Sequence, residues 1–255
     1  MNIMLDIRAL AFDVNGTLVD ILTDEIMEEI YRSIRRFLAL QGIDLQRGQL
    51  HDLYFRLMKE QQTASPEPYP EFDAVGIWRK IITDYGTDYT RSLPSAKLQQ
   101  IPLFLAEMYR SLSRKRLQLY PYVLEVLNRL RVRYPMAIVT DAQSAYARGE
   151  LHKVGLLDYF SPIVISGDYG YRKPDARLFL KVLESLGVAA EQTLFIGNDI
   201  YRDIYGARQA GMKTLMVNSP HGDKSYEGVS PDFTISDYRE LPTLLGITDE
   251  YSPKG

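Results

Sequence analysis

The 255-residue chain contains no cysteine. A disulfide framework, a thiolate metal site and a cysteine nucleophile are therefore excluded. The same absence fits a reducing compartment, and a cytoplasmic location is expected. No apolar run approaches the ~18–20 residues that span a bilayer, so no membrane partner is expected. The opening residues carry Asp6 within an apolar stretch and lack a basic head, so they do not read as a secretory signal. Excess charge is missing too, since 30 Lys and Arg against 33 Asp and Glu leave a net −3. The basic runs Arg35-Arg36 and Arg114-Lys115-Arg116 stand without a wider basic stripe, so they read as solvated helix faces and no nucleic-acid partner is expected. His51, His152 and His221 are scattered, with no metal-ligand spacing. No G-x-G-x-x-G or P-loop sequence occurs, which argues against a dinucleotide or nucleoside-triphosphate site of those kinds.

What is present is an ordinary globular composition, 45% hydrophobic and 25% charged, with an order that carries more information. Residues 7–13 form a near-continuous apolar run through Leu10, Ala11 and Phe12, as a strand buried on both faces requires. Residues 20–116 read as helices only. Apolar residues fall at spacings of three and four in four stripes: Ile26, Ile30, Ile34, Phe37 and Leu38; Leu50 to Met58; Val75 to Tyr85; Leu105 to Leu112. Three prolines in residues 64–70 break the block. After residue 120 short strands alternate with helices. Strands are expected at 136–140, 163–166, 193–197, 214–217 and 233–235, and helices at 122–134, 144–154, 175–186 and 203–210, with one more reaching 245. The pattern predicts an α/β fold, a Rossmann-like parallel sheet flanked by helices. The first strand belongs with the later ones, so the expected core is 1–19 plus 117–255. Residues 20–116 are then an inserted all-α helical bundle.

Ligands of such sheets sit beyond the carboxyl ends of the strands. Strand one ends in Asp13-Val14-Asn15-Gly16-Thr17-Leu18, and the next core strand in Thr140-Asp141. Lys173 lies in Lys173-Pro174-Asp175 just before a helix, and Gly197-Asn198-Asp199 ends a later strand with Asp203 four residues on. Singly, each is an ordinary cap or turn residue. Jointly, carboxylates, hydroxyls and an ammonium from distant segments converge on one rim.

These four stretches resemble the haloacid dehalogenase-like hydrolase superfamily across essentially the whole chain, and the helical block after the first stretch resembles its cap. The resemblance implies a nucleophile at Asp13 and a Mg²⁺ cofactor held by Asp13, the Asn15 carbonyl and a carboxylate among Asp199 and Asp203. It also implies that Lys173 holds the reacting groups and that Thr140 donates to phosphate, with Gly16, Thr17 and Asp141 beside the substrate. A small phosphorylated molecule is the expected partner; the sequence says nothing about oligomeric state.

Two positions depart from the superfamily's phosphatase pattern. Asn15 stands where a proton-exchanging Asp is usual, and an amide cannot exchange a proton at neutral pH. Asn198 stands where an Asp often follows the glycine, leaving open whether Asn198 or Asp199 faces the metal. These departures keep two alternatives alongside a phosphate-ester hydrolase: a 2-haloacid dehalogenase, and a catalytically weak member that binds a phosphorylated ligand. Asp141 argues against a haloacid, whose carboxylate it would repel. Arg32, Arg35 and Arg36 on the first inserted helix, and Tyr169 and Tyr171 around Gly170, are candidates for contact with substrate or cap.

Overall fold

The computed structural model describes residues 6–247, so the opening segment and the end of the expected core range lie outside the described residues. The chain begins with β1 (Ala9–Phe12), turns, and enters β2 (Val19–Thr23). Five helices follow: α1 (Glu28–Ala39), α2 (Arg47–Ala64), α3 (Ala74–Tyr85), α4 (Asp88–Ser92) and α5 (Ser95–Ser113). β3 (Arg114–Leu119) then returns antiparallel to β2. The remainder alternates: α6 (Val123–Leu130), β4 (Met136–Thr140), α7 (Ser144–Lys153), β5 (Ile163–Ile165), α8 (Ala176–Leu186), β6 (Thr193–Gly197), α9 (Gly206–Gln209), β7 (Lys213–Val217), β8 (Phe233–Ile235) and α10 (Glu240–Leu244). Among the described residues no helix is long and apolar enough to cross a membrane.

Six strands form one parallel sheet in the order β5-β4-β1-β6-β7-β8. From β1 the chain steps to β4 and β5 on one side, then crosses back to β6 and steps outward on the other. The switch point between β1 and β6 opens a crevice at the carboxyl ends of the strands. β1, β4 and β6 are buried along their whole length, which explains their largely apolar sequence. Side chains alternate between faces. Leu10, Phe12, Ile138 and Ile196 pack with Val126 and Leu127 of α6, while Ala11, Val139 and Phe195 pack with Leu178, Phe179 and Val182 of α8.

The inserted helices bury their stripes against one another in a separate cluster that includes Ile30, Ile34, Leu53, Tyr54, Trp78 and Leu105. Trp78 is fully buried, so truncation to Ala is worth about 3–5 kcal/mol.

The reading of residues 20–116 as helices only is corrected at both ends, where β2 and β3 form a two-stranded ribbon. Val19 faces Leu119 and Ile21 faces Leu117, and these side chains pack against the sheet's apolar cluster. The run Arg114-Lys115-Arg116 is therefore a strand, with Arg114 on Glu150 and Arg116 on Asp20. Ile26 precedes α1 and is 75% exposed, so it drops out of the first stripe. The expected helix over 203–210 is instead a π-helical turn, Ile200–Tyr205, followed by the short α9.

Candidate active site

Asp13 is the first residue past β1, at the switch-point crevice, and is 5% exposed. Its Oδ1 accepts from Lys173 Nζ at 2.6 Å and its Oδ2 from the Thr17 hydroxyl at 3.0 Å, so both oxygens are oriented. The chain can double back to place Thr17 because Gly16 adopts φ +85°, a left-handed conformation that glycine supplies at little cost. A Cβ on Gly16 would also lie 2.5 Å from Asn198 Nδ2. The turn closes through Gly16 N–H on the Val19 carbonyl, and the Tyr238 hydroxyl donates to the Thr17 carbonyl from below.

Lys173 is 3% exposed and bridges two carboxylates, since its Nζ also reaches Asp203 Oδ1 at 2.6 Å. Burial alone would depress its pKa, but the charges of Asp13, Asp203 and Asp141 outweigh burial and hold it above the ordinary lysine value. Asp203 is pushed up to about 6 by burial, against the pull of Lys173. Its other oxygen accepts the main-chain N–H groups of Asn198 and Asp199 at 3.0 Å. Gly197 makes this approach possible, because a Cβ there would sit 2.4 Å from the Asp203 Cβ.

The two candidates after Gly197 point to different partners. Asn198 Oδ1 accepts from the Thr17 hydroxyl at 3.0 Å, and its Nδ2 donates to the His221 carbonyl. Asn198 thus shares Thr17 with Asp13. Asp199 caps the π-helical turn through the N–H groups of Tyr201 and Arg202, and its other oxygen takes the Arg202 guanidinium and the Asp223 N–H. Burial opposes its ionisation, but these donors more than compensate and lower its pKa. In this arrangement the Asp199 carboxylate is engaged in capping and by Arg202, while the Asn198 amide oxygen faces Thr17.

Thr140 closes β4 and is buried. Asp141 follows, with Oδ1 accepting from the Lys173 main-chain N–H at 2.9 Å. Its Oδ2 is buried without a hydrogen-bond partner. Burial raises the Asp141 pKa despite the nearby Lys173 and Arg202 charges.

Several contributors go beyond the residues read from sequence. The inserted segment ahead of α3 rests on the rim. Residue 70 bridges to Tyr171, the Arg172 N–H donates to the Tyr69 carbonyl, and the Glu71 N–H donates to the Gly170 carbonyl. Glu71 Oε2 accepts from the Ser166 hydroxyl at 2.7 Å, and burial raises its pKa. Gln143 grips the same segment through the Ala74 N–H and the Phe72 carbonyl. Ser166 follows β5 directly, so the strand-end rule that found Asp13 and Thr140 also points to it. Tyr171 lies under Arg177 and Tyr169 under Lys181. Arg32 pairs with Glu29, and Arg35 with Asp44 and the Leu45 carbonyl, so these arginines are engaged on the insert itself.

Among the described residues no group of three or more His, Cys, Asp or Glu side chains is arranged to hold a metal ion. A hard cation would depend on the oxygens around Thr17, namely those of Asp13 and Asn198, with Asp203 beyond Lys173.

The phosphoserine phosphatase of Thermus thermophilus is 36% identical over 129 residues, half of this chain. The match spans 51% of that relative, so the chain covers about half its length. The glyceraldehyde 3-phosphate phosphatase of Methanopyrus kandleri is 28% identical over 245 residues, 92% of this chain and 95% of that one. The crystal structure of a 2-haloacid dehalogenase from Pseudomonas syringae superposes with a TM-score of 0.69 at 24% identity, covering 94% of this chain and 98% of the other, which shows a shared fold. The family model for haloacid dehalogenase-like hydrolases matches residues 10–217. With that match covering most of its length, the chain belongs to the haloacid dehalogenase-like hydrolase family.

Proposed function

We propose that this hydrolase cleaves small phosphate monoesters through a covalent aspartyl-phosphate on Asp13. The observation that carries the reading is the buried Asp13 carboxylate at the switch point, with one oxygen fixed by Lys173 and the other by Thr17. A carboxylate held this way is aimed as a nucleophile. Lys173 keeps its charge beside the transferring group, and the Thr140 hydroxyl at the end of β4 supplies a donor for a phosphate oxygen. The named activities of the two phosphatase relatives support a phosphate ester as substrate.

The donor set suits Mg²⁺, because Asp13, the Asn15 main-chain carbonyl and Asn198 offer hard oxygens, with Asp203 in support. When bound, the ion supplies Lewis-acid neutralisation of the phosphate. With Asp199 withdrawn and Asp203 paired to Lys173, that seat has little uncompensated negative charge, so a phosphate brought by the substrate is needed to hold the ion firmly. Residues 1–19 and 117–255 act as the catalytic core, and residues 20–116 as a cap whose segment at 69–74 closes over the rim.

The test is phosphate release from a panel of phosphorylated metabolites, with and without Mg²⁺. Wild type is expected to release phosphate and Asp13→Asn to release none. Equal background from both proteins on every compound would sink the reading. A dehalogenase is the second reading, favoured by the neutral Asn15 and Asn198 at the rim. Metal-independent halide release from a 2-haloacid would establish it instead.

A further inference from the structure

An alcohol leaving from phosphorus needs a proton, and the water that completes turnover must lose one. Asn15 can do neither. The carboxyl groups of this rim can be sorted by what already occupies them. Asp13 is the nucleophile of the proposed reaction. Asp203 is spent on Lys173 and on two main-chain N–H groups. Asp199 caps a turn and holds Arg202. Glu71 accepts from Ser166 and from the Phe72 N–H. Asp141 differs: one oxygen is anchored by the Lys173 N–H at 2.9 Å, and the other is buried with no partner.

Its place in the fold is equally specific. β4 lies directly beside β1, with Ile138 level with Phe12, so the first residue past β4 and the first past β1 end on the same rim. The same Lys173 whose N–H holds Asp141 brings its Nζ to Asp13. Lys173 and Arg202 face Asp141 as cations, and Asp203 and the inserted segment's Glu71 as anions, while burial favours its neutral form. A carboxyl group with one oxygen anchored and the other buried without a partner is placed to exchange a proton with a group brought beside it.

Resting on the phosphatase reading, we propose that Asp141 is the catalytic acid and base of this site, doing the proton transfer that Asn15 cannot. An Asp13 oxygen bonds to phosphorus while the P–O bond to the alcohol breaks, its electron pair going to the leaving oxygen, which takes the Asp141 proton. Water then bonds to phosphorus, the P–O bond to Asp13 breaks, and the proton shed by water returns to Asp141.

The experiment compares an alkyl ester, glycerol phosphate, with p-nitrophenyl phosphate, whose leaving group departs as a stable anion. Asp141→Asn is expected to lose about 10²–10⁴ in kcat on the alkyl ester and under about tenfold on the nitrophenyl ester. Adding Asn15→Asp to that variant should restore the alkyl rate. Asp141→Glu, which keeps a carboxyl group, should retain part of it, and thermal melts of each variant report folding. Equal losses on both esters, or no loss on either, overturn the proposal. A wild type that releases phosphate from neither ester, as Asp13→Asn does, overturns the phosphatase reading and this assignment with it.

Discussion

Replacing Lys173 with Met tests the electrostatic core of the site. In wild type the ammonium lies 2.6 Å from an oxygen of Asp13 and 2.6 Å from one of Asp203, all three side chains being buried. Methionine matches the stem but removes the charge, leaving two carboxylates without a counter-ion. Breaking a buried pair in this way costs about 3–5 kcal/mol when both carboxylates are ionised. The cost depends on pH with a definite sign. Asp203 has its folded pKa raised to about 6, so its favourable contribution is present below the unfolded value and is lost as pH rises through about 6. Lys173 is itself raised, and stays charged throughout this range. Without the ammonium, Asp203 holds its proton to still higher pH. Between about 6 and that new value Asp203 keeps in the folded variant a proton that it has lost in folded wild type, whereas the missing Lys173 proton is absent from folded and unfolded variant alike. Its deficit therefore grows by about 1.4 kcal/mol per pH unit across this window. Urea denaturation at pH 6 and pH 8 measures both limits. The expected result is a loss of about 3–5 kcal/mol at pH 8 and about 2 kcal/mol less at pH 6. A penalty independent of pH, or one below about 1 kcal/mol at pH 8, would refute the reasoning.

Three further outcomes follow from particular contacts. Gly16→Ala forces a left-handed residue and a contact 2.5 Å from Asn198 Nδ2, so it should cost about 1–3 kcal/mol in a thermal melt and abolish phosphate release. Gln143→Ala strips partners from the Ala74 N–H and the Phe72 carbonyl, which should raise KM more than it lowers kcat and cost about 1–3 kcal/mol. A change in kcat alone would count against a positioning role. Asn198→Asp adds a carboxylate beside Thr17 and Asp13, so Mg²⁺ alone should raise the melting temperature of the variant more than that of wild type. Equal shifts in the two proteins would show that this position does not face the cation.

The fold was legible where local sequence and burial agree. Strands such as Met136–Thr140 and Thr193–Gly197 are buried on both faces, and the apolar runs at their centres, Met136 to Val139 and Leu194 to Ile196, suffice to show it. The ribbon was illegible for the opposite reason. Arg114–Leu119 is half charged, and its identity as a strand comes from a partner about a hundred residues earlier: Leu117 and Leu119 turn inward only because Ile21 and Val19 stand opposite. A periodicity scan cannot see a pairing between such distant segments. The π-helical turn escaped similarly. Ile200–Tyr205 has helical spacing, and the close approach of Asp203 to Gly197 and to the Asp199 N–H at this turn is a tertiary arrangement that spacing does not encode.

At the site, residue types were readable and their division of labour was not. Asn198 and Asp199 are adjacent and follow the same glycine, so sequence treats them as rivals for one position. Hydrogen bonding separates them. An aspartate at the start of a helical turn can satisfy two exposed N–H groups, and Asp199 does so with Tyr201 and Arg202. Asn198 is left to face Thr17, 181 residues away in the chain. That choice redistributes the charge which sequence had assigned to a cation. Asp199 is balanced by Arg202, and Asp13 and Asp203 share Lys173. Asp141, which sequence placed only among substrate contacts, is consequently the rim carboxyl with a buried oxygen still unbonded. An acidic rim is thus a set of differently engaged groups, and its chemistry depends on which carboxyl has been left without a partner.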